Sequence, residues 1–565
     1  MSYRAGGIRI GFVGVALHGL VAMLVLMPGF AMLSGCGGSG ATVSASSTST
    51  ATTATTTTLT VSATSATVGT SLTLTAAVVS SSATGTVSFY DGTTLIGSAT
   101  LSSGTATLTT TALAVGTHSV TAVYNGDSTY ATSTSSATTI TITAVVSGST
   151  GSCGLGTAAY ALSSGSVTLS GQSYTASSTD ESAVCAQNYG TSITLTTPTI
   201  VTSGATSSTD NSSFYGLNAA VLAYGSSAST NTGGTVTVTD GTITTTGSGA
   251  NGVFASGLGS KITISGTTIN ASGANAHGLD AAEAGTLVIS NVTAKTTGAS
   301  GSVIATDRGG GTVTVTGGTY TSTGMRSAGI YSTGVVTASN ATFMTSNAEG
   351  IVVEGSNSAA VTGCTISAVN ATDNRGIFIY NSESGDASAG TGTLSMTGGL
   401  YSWTSTSGAA FYITNTTAVL KLNGVSLSNG SPLLLRAEAN SSWGTSGSNG
   451  GKVTMTATGQ TMTGIISADA ISTVAATLST GSVLTGAINP ADTALSMGLT
   501  MDASSTWNVG GTSYLTTLSD AAGISGTTVT NIVGNGYTVY YLSADNSSLG
   551  GLTYTLSGGG YLKPM

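Results

Sequence analysis

Charge is scarce in this chain. Among 565 residues there are eleven Lys+Arg and twenty Asp+Glu, 5% of the total, where a globular domain carries about 25%. So few cations leave no basic patch for nucleic acid, and the balance is unlike that of a cytosolic α/β enzyme. Aromatic side chains make up another 5%, prolines number five and histidines three. The four cysteines include no zinc-like spacing, and no motif for a metal or other cofactor is present. Low charge does not mean disorder here. Some 40% of residues are hydrophobic, whereas disordered chains combine low hydrophobicity with high net charge. What abounds is small: 81 glycines set among Ser, Thr, Ala and Val. Small and β-branched residues favour short stacked strands over helices.

The N-terminus reads as an export signal over residues 1–35. Arg4 and Arg9 precede an apolar stretch from Ile10 to Met32, interrupted by His18 and Pro28, the order expected of a secretory segment. A membrane-spanning anchor is the competing reading for an apolar run of this length. Leu33-Ser34-Gly35-Cys36 resembles the bacterial lipobox, which implies cleavage before Cys36 and acylation of its thiol. The expected location is the outer membrane, or the cell membrane of a monoderm host, with the membrane itself as a partner. A Ser/Thr-rich tract over 36–56 then reads as a flexible tether. No translocating barrel follows within the sequence, so the lipid is the expected attachment.

Residues 57–143 show strand-like alternation. Val87-Ser88-Phe89-Tyr90-Asp91-Gly92 is followed by Gly116-Thr117-His118-Ser119-Val120-Thr121-Ala122-Val123-Tyr124-Asn125-Gly126-Asp127. This stretch resembles the bacterial Ig-like repeat, implying a small sandwich with Val87, Phe89, Val120, Ala122 and Tyr124 inward. Asp91, His118 and Asp127 look like a catalytic trio on paper, but they occupy turn and strand-start positions and are read as structural. The module is expected to act as a spacer.

Beyond about residue 145 a repeat appears. Gly252-Val253-Phe254-Ala255, Gly278-Leu279-Asp280-Ala281, Ser302-Val303-Ile304-Ala305, Gly329-Ile330-Tyr331-Ser332, Gly350-Ile351-Val352-Val353 and Gly376-Ile377-Phe378-Ile379 recur every 21 to 27 residues. Between them lie alternating runs such as Thr235-Val236-Thr237-Val238 and Thr312-Val313-Thr314-Val315. Turn residues follow in register at Asp240, Gly266, Asn291, Gly317, Asn340 and Gly363. Short strands at this spacing predict a parallel β-solenoid over 150–500; a propeller would need four strands per roughly 40–45 residues. The pattern resembles the right-handed parallel β-helices of the pectin-lyase-like superfamily and adhesin-type solenoids. The fold class expected is therefore all-β, an Ig-like sandwich followed by a β-helix. The segment 501–565, with Trp507-Asn508-Val509-Gly510, resembles the end of autotransporter passenger domains and is expected to cap the stack. Cys153 and Cys185 flank one segment and suit a disulfide in an oxidising compartment, although spacing leaves the pairing open. Cys364 stands where other coils carry small residues and reads as a buried hydrophobe.

If Val253, Leu279, Val303, Ile330, Ile351 and Ile377 point inward, then Phe254, Asp280, Ile304, Tyr331, Val352 and Phe378 point outward. Glu283, Asp307, Glu354 and Tyr380 lie on or near the same face, flanked by His277, Arg308, Glu349, Asp373 and Arg375. Rings beside carboxylates suit sugars, so Phe254, Asp280, Glu283, Asp307, Tyr331, Glu354, Phe378 and Tyr380 are the candidate glycan contacts, with a polysaccharide or cell-surface ligand as partner. No residue is assigned a catalytic role. The alternative is a polysaccharide lyase or glycoside hydrolase on the same scaffold. Against it, the coils lack the paired-Asp motif of polygalacturonase-like enzymes and an Arg base of pectate-lyase type.

Overall fold

A computed structural model of the chain describes residues 51–143, 149–370 and 373–565. The expected signal segment, Cys36 and most of the tether lie outside the described residues.

The first module is a sandwich of two mainly antiparallel sheets, with Ser65–Thr67 parallel to Thr138–Thr143 at one edge. Thr57–Val61, Leu72–Val78 and Thr105–Thr110 form one sheet. The other contains Thr86–Asp91, Thr94–Thr100, Gly116–Tyr124 and Thr138–Thr143. Alternation decides the core, as it must for a strand with one buried face: Leu74, Val87, Phe89, Val120, Ala122 and Tyr124 are fully enclosed. Asp91 accepts the Ser119 N–H, the His118 ring bonds to the Ala114 carbonyl, and Asp127 accepts the N–H groups of Thr84, Thr129 and Tyr130. Asp91 thus ties two paired strands, and His118 and Asp127 hold local backbone turns.

The second body is a β-helix of three long sheets in which successive coils pair in parallel. One face runs through Val253–Ser256, Leu279–Ala282, Ile304–Thr306, Ile330–Ser332, Ile351–Glu354, Arg375–Tyr380 and Ala409–Thr414. Its inward column is Val253, Leu279, Ile304, Ile330, Ile351, Ile377 and Phe411. The second face contributes columns such as Val236, Ile262, Leu287 and Val313, and the third contributes Ile243, Ile269, Ala294, Tyr320 and Phe343. All of these belong to one continuous core, and no coil buries enough apolar surface to stand alone.

The turn column sits in the left-handed region in six consecutive coils: φ is 58° at Asp240, 63° at Gly266, 51° at Asn291, 65° at Gly317, 52° at Asn340 and 61° at Gly363. Only Gly, Asn and Asp adopt this conformation at low cost. Parallel stacking continues past the boundary expected at 500. Thr506–Val509 pairs with Val483–Gly486, and Trp507 is fully buried with its ring N–H on the Gly486 carbonyl at 2.9 Å. Tyr554–Ser557 and Tyr561–Pro564 then pair antiparallel at the end of the stack, with Tyr541, Tyr554 and Leu562 in the core.

The expected phase of one coil is corrected. Leu279 pairs with Ile304 and not with Val303, so Ile304 points inward and Ala305 takes the outward place beside Asp280 and Tyr331. The cause is local. Val303, Ile304 and Ala305 are all apolar and all buried, so the sequence offers no polar residue to mark the outer face, and a slip of one residue exchanges the two faces.

Candidate functional site

The outer side of the first face carries the expected glycan contacts. Most of it is covered. Over the early coils lies a second, smaller core of Cys153, Ala158, Cys185, Ala219, Leu222, Phe254 and Ala282. Cys153 and Cys185 are joined by a disulfide across it, with Cα atoms 6.3 Å apart. Helix α1, Thr209–Tyr215, packs nearby, started by the Ser208 hydroxyl cap and ended by Gly216 at φ 70°. A Cβ at Gly216 would stand 2.7 Å from the Phe254 ring, so glycine permits the close approach that seals this ring. Phe254 is accordingly removed from the ligand contacts: no solvent reaches it.

Asp280 and Asp307 are also buried, and with His277 they form a compact cluster. One ligand-type atom from each lies within 4.8 Å of the others. Strand geometry explains the meeting. Asp280 pairs with Ala305 on the next coil, and Asp307, two residues beyond Ala305, faces the same way. Burial, then the neighbouring Asp307, pushes the Asp280 carboxyl up; burial likewise raises Asp307. Burial lowers His277 to about 4. Glu283 stands apart at the edge with φ 51°, its carboxyl raised by burial and held back by Arg308.

Further along the same face the structure opens into a groove of about 470 Å³. Tyr331, Val352, Phe378, Tyr380 and Trp443 line it together with Asn440 and Ser442, and Arg326, Glu349, Asp373 and Arg375 supply its charges. Phe378 stacks on Tyr380 with centroids 4.2 Å apart, and Trp443 stands 5.3 Å from Phe378 and 5.0 Å from Tyr380. Arg375 lies 4.2 Å above the Phe378 ring while its guanidinium binds Glu349 at 2.8 Å and Asp373 at 3.5 Å. Arg326 reaches Asp373 at 3.4 Å from the rim. The Tyr331 hydroxyl donates to Glu354 at 2.5 Å, and Ser382 donates to the other Glu354 oxygen. Burial raises the phenols of Tyr331 and Tyr380, and raises Glu349 against the opposing pull of Arg375.

Of the expected contacts, Tyr331, Phe378 and Tyr380 meet in the groove, with Glu354 anchored beneath them. Sequence reasoning missed Trp443, Asn440, Ser442 and Arg326. The signal for Trp443 was coil length: Thr416–Asn423 stacks directly on Gly451–Thr458, a longer step than most coils take, and the excess is the loop carrying this ring.

An antiparallel sandwich followed by a parallel β-helix with a lined groove defines the class of protein. Residues 59–143 match the family model of the bacterial Ig-like domain (group 3). Among solved structures, fibronectin(III)-like modules of Clostridium thermocellum CbhA are similar to 20% of this chain at 23% identity, with a TM-score of 0.14. The match covers 56% of that structure's chain. No curated protein matches the chain significantly.

Proposed function

We propose that this is a surface protein, anchored by a lipid on Cys36, whose β-helix binds a glycan in the groove. The observation that carries the reading is the Phe378–Tyr380–Trp443 cluster set against the Arg326–Asp373–Arg375–Glu349 network. Sugars offer apolar C–H faces to flat rings and hydroxyls to charged donors and acceptors, and charge-assisted hydrogen bonds fix their orientation. The volume falls within the range of small-ligand pockets, about 300–1,000 Å³. The bacterial Ig-like match supports placement outside the cell.

Retention of the mature chain on a glycan array tests it. Wild type binds a polysaccharide, and Trp443→Ala and Tyr380→Ala each weaken retention at least ten-fold. Retention unaffected by both substitutions contradicts the reading. Cleavage that disappears with Glu354→Ala would replace it with a lyase or hydrolase, since this scaffold hosts either role. Palmitate incorporation lost in Cys36→Ala tests the anchor separately.

A further inference from the structure

We propose that His277, Asp280 and Asp307 hold one divalent cation of the zinc or manganese class in an internal site on the covered part of the first face. The glycan reading does not bear on this site, which uses none of the aromatic groove residues.

Three observations carry it. First, the imidazole and the two carboxylates already converge, each offering an atom within 4.8 Å of the others. Ligand atoms of a tetrahedral zinc stand about 3.4 Å apart, given metal–ligand distances of 2.0–2.2 Å, so a small contraction completes the set. Second, both carboxylate oxygens of Asp280 have no side-chain hydrogen-bond partner among the described residues, while Asp280 is fully enclosed. A buried carboxylate without donors is costly unless a cation meets it. Third, no side-chain cation among the described residues fills this role. The His277 ring nitrogen nearest Asp280 is 4.0 Å away, beyond hydrogen-bond reach. Arg308 directs its guanidinium to Asp386 at 2.8 Å and over the Phe214 ring.

The donor set also selects among ions. One imidazole with two carboxylates suits zinc, manganese or cobalt. Calcium requires six to eight oxygens, more than this pocket supplies.

The test uses the full mature chain, purified without chelator and passed through gel filtration. Elemental analysis should find one zinc or manganese per chain, and EDTA should lower Tm, with recovery on adding zinc. Cobalt in the stripped protein should give visible d–d absorption bands. Asp280→Asn, which keeps the shape, should weaken zinc binding at least ten-fold and abolish the Tm response. The proposal is overturned if the isolated chain holds no such metal and its Tm is indifferent to EDTA, zinc, manganese and cobalt. It is overturned equally if only calcium shifts Tm. Neither of these first measurements depends on a variant that folds.

Discussion

Two residues show how single positions hold the stack. Gly317 and Asn291 occupy the same turn on adjacent coils, and the Asn291 side-chain oxygen lies where a Cβ on Gly317 would go. The same relation joins Gly266 to Asp240 and Gly363 to Asn340. An amide or carboxylate on one coil is thus accommodated by a bare backbone on the next. Gly317→Ala places a side chain at positive φ and against Asn291, and it should cost about 1–2 kcal/mol; Asn291→Gly should cost far less. Urea unfolding of the two variants compares them. Asp502 ties coils differently, accepting the Thr480 N–H of the preceding coil at 2.7 Å and the N–H and hydroxyl groups of Ser504 and Ser505. These bonds, that of Thr480 foremost, lower its carboxyl from 3.8 to about 2. A depressed folded pKa stabilises above the unfolded value and ceases to do so as protons bind. The Tm gap between wild type and Asp502→Asn should therefore be full near pH 7 and shrink as pH falls from about 4 through 2. A gap that is constant with pH contradicts this role.

At the scale of elements, the first face is legible in sequence only in part. Gly followed by an apolar run marks each coil, and the Thr-Val-Thr-Val alternation of the second face reports its phase directly, because its outer positions are polar. Val303, Ile304 and Ala305 carry no such mark, and there the phase slipped. Ile304→Ala should cost about 2–5 kcal/mol if the side chain is inward, and within about 0.5 kcal/mol if it is at the surface. The covering elements were hidden for another reason. Helix α1 and the loop bearing Trp443 pack onto strands distant in sequence, and nothing in the repeat foretells which outer positions they shelter. Hence the residue types of the site were legible while their fates were not: Phe254 became core, Asp280 and Asp307 became a buried pair, and Tyr331, Phe378 and Tyr380 remained beside the opening. The disulfide belongs to the same covering layer. It spans 32 residues, and by loop entropy its removal in Cys153→Ser/Cys185→Ser should cost about 3–4 kcal/mol, read as a lower denaturant midpoint. No change in midpoint would mean that the bridge constrains nothing.

Over the molecule as a whole, the scarcity of charge and the unevenness of its placement are one fact seen twice. Columns of small and β-branched residues hold a β-helix together with backbone ladders, so side-chain charge is dispensable along most of its length. The charges that remain between His277 and Asp386 do different work in two neighbouring places. One group is enclosed, with the Asp280 carboxylate unpartnered among the described residues, fit for a cation. The other lines a groove with four aromatic rings. Trp403 and Trp507 are buried in the core, whereas Trp443 lies in that groove, so a ligand-dependent change in tryptophan emission reports the proposed ligand site. The most direct measurement is a fluorescence titration of the mature chain with acidic and neutral oligosaccharides. The account predicts a saturable change in emission in wild type that is lost in Trp443→Phe. A saturable change of the same size in Trp443→Phe, or none in wild type with any sugar, would contradict it.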